Sequence, residues 1–228
     1  MSKINFYSLA KKEKVINPNF GSHGIKLHFR MLIAAPSGSG KTNALLNLLV
    51  HMNKTFHEII LCVKSSDEPL YNLLISRLGD AVAVYEDGEV PSLSNFSVKN
   101  EQTGRLERKD KYQRLIVFDD LINEKSANLK ARQYFIKGRK LGFSSVYIGQ
   151  SYYQIPKMIR DNCQYFILGR NLLTKDLRKV LGCFPTELSL DEFERLYQEE
   201  TSEPLDTLLI DCERRIARSN IIGKGIQL

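Results

Sequence analysis

Residues 30–50 read RMLIAAPSGSGKTNALLNLLV and carry the most informative pattern in the chain. The apolar run from Met31 to Ala35 predicts a short buried strand. A Gly/Ser-rich loop that ends in Lys-Thr follows it. Apolar residues at helical spacing come next: Ala44, Leu45, Leu48 and Leu49. A strand, such a loop and a helix in this order are the context that a phosphate-binding loop requires, so the sequence predicts a nucleotide-binding α/β protein.

The loop residues have separable predicted roles. Gly38 and Gly40 let several backbone N–H groups turn inward on one phosphate, and the start of the helix adds partial positive charge. Lys41 reaches the β- and γ-phosphates, and the Thr42 hydroxyl binds Mg²⁺. The predicted nucleotide contacts are Pro36, Ser37, Gly38, Ser39, Gly40, Lys41, Thr42 and Asn43.

One position departs from the G-x-x-x-x-G-K-[ST] pattern, because Ala35 replaces the first glycine. A Cβ is tolerable there if the backbone is still strand-like, as the preceding apolar run predicts. The alternative is a Gly/Ser turn that only resembles a nucleotide site. The strand, the loop, the Lys-Thr pair and the helix agree, and together they favour the nucleotide site.

The composition is that of a globular protein. The chain has 228 residues, of which 43% are hydrophobic and 26% charged, so it can build a core and pervasive disorder is not expected. No apolar run has the length of a membrane span, and the first residues lack the apolar core of a signal peptide. Four scattered cysteines without metal-ligand spacing predict reduced thiols, an intracellular compartment and no zinc site: Cys62, Cys163, Cys183 and Cys212.

Apolar strand patterns alternate with amphipathic helical patterns along the chain. Strands are predicted at 58–63, 81–85, 115–118, 144–148, 165–168 and 205–210, and helices at 70–78, 125–141, 175–181 and 190–197. This alternation predicts a mostly parallel sheet with helices on both faces. Residues 86–113 are polar and aperiodic, which leaves a functional excursion and an unresolved helix both open.

We divide the chain into three segments. Residues 1–25 form a basic arm with Lys3 among its cations, residues 26–170 a P-loop core, and residues 171–228 a small extension packed on that core. The arm is expected to pack irregularly on the domain or to remain a tail. The cations of the arm are suited to contact with DNA or with a neighbouring subunit, and exposure to solvent alone is the alternative.

A second motif supplies carboxylates. Four apolar residues, Leu115 to Phe118, run directly into Asp119 and Asp120. A parallel strand places the residues after it at the carboxyl edge of the sheet, where ligands bind. Asp119 is therefore predicted to bind Mg²⁺ through its water shell, and Asp120 to orient the attacking water. An N-cap for the next helix is the alternative.

A third motif ends a later strand in an amide. Residues 144–148 are followed by Gly149 and Gln150. If this strand lies between the phosphate-loop strand and the acid-bearing strand, Gln150 faces the γ-phosphate and holds the water. A glutamine after a strand is otherwise common, so this prediction depends on the order of the motifs.

The predicted helix at 125–141 is basic, in a chain of net charge +7 and pI about 9.2. Its cations are Lys125, Lys130, Arg132, Lys137, Arg139 and Lys140, with no acid in the span. An apolar stripe is formed by Ala127, Ala131, Tyr134, Phe135 and Leu141. The helix is thus predicted to pack by one face and present a wholly cationic one, with Lys130, Arg132 and Lys137 contacting DNA phosphates. A solvated face, or one that meets an acidic neighbour, is the alternative.

The motifs APSGSGKT, LIVFDD and GRKLGFSSVYIGQ, in this order and spacing, resemble the genome-packaging ATPases of double-stranded DNA viruses. These are the poxvirus, giant-virus and virophage type within the FtsK–HerA superfamily. The resemblance covers roughly residues 28–170. It implies a P-loop NTPase of the additional-strand type that uses ATP and Mg²⁺. It also implies a homo-oligomeric ring, pentamer or hexamer, that threads duplex DNA, with a capsid or portal component as partner.

The resemblance further implies an arginine supplied in trans by a neighbouring subunit. We expect the donor at the rim of the carboxyl edge, and Arg139 in the Gly-Arg-Lys turn is the first choice. Arg170 is the second, and an ordinary surface ion pair is the alternative for both. Asp120 stands where many relatives carry Glu. The shorter Asp side chain moves the carboxylate back by about 1.5 Å, which weakens the prediction that Asp120 orients the attacking water.

The leading function is an ATP-hydrolysing motor that translocates DNA into a viral capsid. A nucleotide kinase-like phosphotransferase is the second interpretation, although that class needs no acid pair followed by a Gln-ended strand. An ATP-binding assembly adaptor or switch is the third. The expected location is the host cytoplasm or viral factory, with virion association as an extension.

Overall fold

The computed structural model describes residues 15–228, so residues 1–14 of the predicted basic arm at 1–25 lie outside them. The strands are β1 (Arg30–Ala34), β2 (Glu58–Cys62), β3 (Val82–Tyr85), β4 (Ser97–Lys99), β5 (Leu106–Arg108), β6 (Arg114–Asp119), β7 (Phe143–Gly149), β8 (Tyr165–Gly169), β9 (Thr207–Asp211), β10 (Ile216–Ser219) and β11 (Gly225–Gln227). The α-helices are α1 (Phe20–His23), α2 (Lys41–His51), α3 (Pro69–Leu78), α4 (Lys125–Lys137), α5 (Lys157–Arg160), α6 (Thr174–Leu181) and α7 (Leu190–Glu200).

Within residues 15–228, nine strands form one sheet in the order β11-β10-β9-β8-β1-β7-β6-β2-β3. The six from β8 to β3 are mutually parallel, whereas β9, β10 and β11 continue the sheet antiparallel. The mostly parallel α/β sheet predicted from the sequence is confirmed. β7 lies between β1 and β6, which is the order on which the prediction for Gln150 depends.

The helices cover both faces of the sheet. α2 and α3 bury apolar residues such as Leu45 and Leu74 in the core on one face. α4, α6 and α7 bury Phe135, Val180 and Phe193 in the core on the other. The central strands are almost fully buried because they are covered from both sides, and this is why they read as continuous apolar runs.

The segment at 86–113 crosses from β3 to β6 and contains the two-stranded hairpin β4-β5. It packs on the α4 face, where Tyr134 donates from its hydroxyl to the Pro91 carbonyl at 3.0 Å. Phe96 also lies edge-on to Phe143, with 5.1 Å between ring centroids. The segment shows no period in sequence because three-residue strands are too short to produce one.

Residues 171–228 contribute three strands to the main sheet, and the pairing of β9 with β8 makes this segment continuous with the core. The sequence patterns did not predict β10 and β11, which are short and lie at the edge. The division of the chain at residues 25 and 170 stays a prediction. The four cysteines are free thiols. None of the helices within residues 15–228 is long and apolar enough to cross a membrane.

Candidate nucleotide-binding site

The phosphate-loop sequence folds as a tight turn between β1 and α2. Gly38 and Gly40 have φ of 73° and 81°, a left-handed conformation that costs glycine little. A Cβ on Gly38 would meet no atom within 4 Å, so the loop is open on that side. The Gly40 carbonyl accepts the first helical hydrogen bond of α2, from the Ala44 N–H at 2.9 Å. The backbone N–H groups at the start of α2 are therefore available to an anion.

Ala35, which replaces the first glycine of the motif, extends the strand. Its N–H donates to the Gly149 carbonyl at 3.2 Å, and its φ is not positive. Its methyl group lies against β8, where a Cβ on Gly169 would come within 2.6 Å of the Ala35 Cβ. In loops that follow the full motif, the first glycine has no side chain and leaves this space empty. In this protein Gly169 on the neighbouring strand leaves the space that the Ala35 methyl group occupies.

A cleft of about 380 Å³ opens beside the loop at the carboxyl edge of the sheet. Glu68 and Leu70 line it together with predicted site residues from three separate motifs. The predicted residues are Ser37, Gly38, Gly40, Lys41, Thr42, Asn43, Asp119, Asp120 and Gln150. The predicted contacts Pro36 and Ser39 belong to the same loop. The parallel strands β1, β6 and β7 end at one edge, and this brings the three motifs together.

Two hydrogen bonds fix the side chains at the start of α2. The Lys41 ammonium donates to the Pro36 carbonyl at 3.1 Å, which holds it across the loop. The Thr42 hydroxyl donates to Oε2 of Glu68 at 3.0 Å. Glu68 immediately precedes α3 and comes from the segment after β2.

Asp119 is buried at the end of β6, with 7% of its surface exposed. Its Oδ2 accepts a hydrogen bond from the Tyr71 hydroxyl at 2.6 Å. Burial raises the pKa of Asp119 from 3.8 to about 6. The Tyr71 hydrogen bond and Lys41 oppose this rise, while the charges of Glu68 and Asp120 add to it. Burial also raises the pKa of Tyr71, so this phenol remains a donor.

Asp120 and Gln150 are exposed at the mouth of the cleft. Asp120 has φ of 54°, a left-handed conformation that Asp tolerates better than most residues. The chain turns there, directly after β6. Gln150 follows β7 in the same way. Both side chains are thus at the edge where a γ-phosphate and an attacking water would be held.

The donor chemistry of the cleft fits Mg²⁺ and phosphate. Thr42, Asp119 and Glu68 offer hydroxyl and carboxylate oxygens, which are the ligands that a hard cation prefers. Lys41 and the N-terminus of α2 offer positive charge to phosphate oxygens. The residues present therefore suit a magnesium nucleotide.

Two residues of the site, Glu68 and Tyr71, were not predicted from the sequence. The signal for Glu68 was available, because the polar run 64–68 follows the apolar strand β2 and so lies at the same edge as Asp119. No sequence pattern indicated the role of Tyr71. An aromatic residue in an amphipathic helix is normally interpreted as a core residue, and only the packed structure shows that its hydroxyl contacts Asp119.

α4 packs as predicted but does not present a wholly cationic outer face. All five residues of the predicted apolar stripe are buried. On the outer face, however, Leu129 and Ile136 are 60% and 47% exposed among the cations. The Lys130 ammonium also donates to the Val90 carbonyl at 2.9 Å, so part of its donor capacity is used within the chain.

The expected position of Arg139 is wrong. Arg139 lies in a short 3₁₀ turn (Gly138–Leu141) just before β7, whereas Gln150 follows the other end of that strand. A residue before a parallel strand lies at the amino edge, away from the cleft. Its charge lowers the pKa of Arg30, the first residue of β1, although burial of Arg30 lowers it more. Arg170 directly follows β8 and does lie at the carboxyl edge, half-buried.

Comparisons with solved structures agree with this fold. B204, the DNA-packaging ATPase from Sulfolobus Turreted Icosahedral Virus, is 11% identical with a TM-score of 0.56 over 89% of this chain and 100% of that chain. B204 from Sulfolobus turreted icosahedral virus 2 in complex with AMPPCP is 12% identical, with a TM-score of 0.55 over 85% and 97%. EssC (ATPases 2 and 3) from Geobacillus thermodenitrificans is 14% identical, with a TM-score of 0.50 over 85% of this chain, which spans 39% of that chain.

At these identities the likeness establishes the P-loop ATPase fold. Comparison with curated proteins gave no match. The sequence model of the family described as poxvirus A32 protein matches residues 21–187, which include the phosphate loop, the acid pair and Gln150. The chain therefore belongs to the poxvirus A32 protein family, the poxvirus type of packaging ATPase that its motifs resemble.

Proposed function

We propose that this chain is an ATP-hydrolysing motor that moves double-stranded DNA into a viral capsid. The observation that carries the proposal is the convergence of Lys41, Thr42, Asp119 and Gln150 on one cleft, in a chain of the A32 family. B204, which has the same fold, has been solved with ATP-gammaS and with AMPPCP, and this supports ATP as the nucleotide.

The cleft residues divide the work of hydrolysis. The loop N–H groups and Lys41 hold the β- and γ-phosphates. Thr42 and Asp119 hold Mg²⁺, which supplies charge neutralisation at the phosphates when bound. Asp120 and Gln150 orient the attacking water at the cleft mouth. The Lys41 ammonium uses one of its three N–H donors on the Pro36 carbonyl, so the other two are available to phosphate oxygens.

Duplex DNA is the proposed polyanion, and α4 its contact. Lys130, Arg132 and Lys137 supply sequence-independent phosphate contacts, as a motor that moves along any sequence requires. The exposed Leu129 and Ile136 leave room on the same face for a protein contact, for example with a neighbouring subunit.

Assembly follows from the function proposed. A homo-oligomeric ring, pentamer or hexamer, would surround the DNA, with Arg170 presented to the neighbouring subunit from the carboxyl edge. A capsid or portal component is the proposed docking partner. Assembly in the host cytoplasm or viral factory, with passage into the virion, fits this role.

The test is the rate of ATP hydrolysis by the full chain with and without duplex DNA. A motor is stimulated by DNA. A nucleotide kinase needs an acceptor nucleotide instead, and an adaptor responds to neither. Lys41→Ala is the matched control, because it removes the charge aimed at the β/γ-phosphates and is expected to abolish turnover. A wild-type rate for Lys41→Ala, or no response of the wild type to DNA, contradicts the proposal.

A further inference from the structure

The first turn of α3 brings two side chains into the nucleotide site that no motif assigns. Oε2 of Glu68 accepts a hydrogen bond from the Thr42 hydroxyl at 3.0 Å. Three residues later, the Tyr71 hydroxyl donates to Oδ2 of Asp119 at 2.6 Å. Each of the two proposed magnesium ligands is thus hydrogen-bonded by a residue of the same helical turn.

The contact from Thr42 to Glu68 sets the direction of the hydroxyl. A threonine hydroxyl has one proton and two lone pairs. With the proton directed to Glu68, the lone pairs face away from it and are available to a cation. An acceptor for this proton is what a hydroxyl ligand needs, and in this cleft that acceptor is Glu68.

The contact from Tyr71 to Asp119 sets the orientation of the carboxylate. Tyr71 is 1% exposed, so its ring is fixed by the core between α3 and the sheet. Its hydroxyl occupies one oxygen of Asp119 and leaves the other for a metal-bound water. Partners of this kind, which hold a metal ligand without touching the metal, are as important to a site as the ligands themselves.

The positions of the carboxylates point the same way. Glu68 and Asp119 line the same cleft from different elements of the chain. A divalent cation held between two carboxylates removes the repulsion between them.

Ordinary structural roles do not account for these contacts. Glu68 stands at the N-cap position of α3, but its side chain makes no capping hydrogen bond. It is exposed, so packing does not hold it in place. Phenylalanine would fill the core position of Tyr71 equally well, but it would lack the hydroxyl that reaches Asp119.

We propose that Glu68 and Tyr71 are positioning residues of the magnesium centre: Glu68 accepts the hydrogen bond of the Thr42 hydroxyl and would accept another from metal-bound water, and Tyr71 fixes the Asp119 carboxylate. This inference rests on the proposed function, since it assigns the metal half of the same ATP site.

The experiment measures binding of a fluorescent ATP analogue to the full chain, once over a series of Mg²⁺ concentrations and once in EDTA. Glu68→Gln and Tyr71→Phe keep the size of each side chain. Each is expected to raise the Mg²⁺ concentration at half-saturation about 10-fold or more, with unchanged affinity in EDTA. Glu68→Ala, which removes the acceptor entirely, should act at least as strongly as Glu68→Gln.

Asp67→Asn is the matched control. It removes the same charge from the adjacent residue, which is exposed, bonds to Ser65 at 3.2 Å and is not among the residues that line the cleft. Its Mg²⁺ dependence should be that of the wild type. Thermal midpoints of all the variants in EDTA show whether any of them has lost its fold.

Two results overturn the inference. The first is a wild-type Mg²⁺ dependence for Glu68→Gln and Tyr71→Phe. The second is an equal loss of affinity with Mg²⁺ and in EDTA, which would mean a structural role in the phosphate loop. Failure of the proposed function looks different, because ATP hydrolysis by the wild type would then not respond to duplex DNA, while the Mg²⁺ dependence of Glu68→Gln and Tyr71→Phe would still differ from that of the wild type.

Discussion

The Ala35 methyl group lies against the backbone of Gly169, and a Cβ on Gly169 would come within 2.6 Å of the Ala35 Cβ. The contact joins β1 to β8 just where the phosphate loop begins. It explains how the chain accepts an alanine at the first position of the loop motif. The space between residues 35 and 169 holds only one methyl group, either on residue 35 or on residue 169.

Gly169→Ala is therefore expected to destabilise the protein by about 1–3 kcal/mol and to weaken ATP binding, because the loop must move to relieve the overlap. Ala35→Gly combined with Gly169→Ala should recover much of both losses. Urea unfolding and nucleotide titration of the four proteins in this cycle measure the coupling. Gly21→Ala is the control, since a Cβ on Gly21 meets nothing within 4 Å. Additive losses in the double variant would contradict the shared space.

Asp119→Asn and Asp120→Asn should separate metal binding from the orientation of water. Asp119 is buried and lines the same cleft as Thr42 and Glu68, so its loss should weaken Mg²⁺-dependent nucleotide binding. Asp120 lies at the cleft mouth, so its loss should leave Mg·ATP bound and reduce kcat, typically by about 10²–10⁴-fold for the removal of a proton-accepting group. Equilibrium binding and turnover measured on the same preparations decide this. Equal loss of binding in both variants would make Asp120 a ligand or a cap.

The raised pKa of Asp119 predicts a pH dependence of stability in the metal-free protein. Between pH 3.8 and about 6 the folded state holds a proton that the unfolded state releases. The contribution of this group to stability is therefore fully present below pH 3.8 and is lost as the pH rises through about 6. Asp119→Asn cannot ionise, so in EDTA at neutral pH it should be more stable than the wild type by up to about 3 kcal/mol. The difference should vanish near pH 4; a constant difference across this range would contradict the assignment.

Lys130, Arg132 and Lys137 changed together to Gln should weaken duplex DNA binding and lower the salt slope of log K by about one unit for each phosphate that is no longer neutralised. Basal ATPase should be retained, because α4 begins beyond the cleft residues. Lys175, Arg178 and Lys179 changed to Gln on α6 remove the same charge and serve as the control. If both triple variants reduce the slope equally, net charge rather than the α4 surface explains the binding.

Arg170 is the better donor of an arginine in trans, since Arg139 lies at the other edge of the sheet. Arg170→Ala alone should bind ATP and lose about 10³–10⁵-fold in turnover. Mixed with Lys41→Ala protein it should recover part of that turnover at boundaries that pair an intact loop with an intact Arg170. Arg139→Ala should hydrolyse ATP without mixing. Mixed rings that form but remain inactive would contradict a role of Arg170 in trans.

Four features could be predicted from local sequence patterns: the phosphate loop, the acid pair, the position of Gln150 and the class of sheet. The phosphate loop, the acid pair and Gln150 each follow directly after an apolar run. Because the strands formed by these runs are parallel, their carboxyl ends all lie at one edge of the sheet. The same rule places Arg139 at the opposite edge, because it precedes its strand whereas Gln150 follows it. The position of Arg139 was therefore within reach of the sequence, although the expectation for it was wrong.

The remaining features of the site depend on contacts between elements that are distant in sequence. The contact of Ala35 with Gly169, and those of α3 with Thr42 and Asp119, join residues that are far apart in sequence. Their distance depends on how β8 and α3 pack against the central strands. Periodicity shows which face of an element is buried, but not which atoms meet across that face. The site therefore owes its location to local sequence and its hydrogen-bonded geometry to packing.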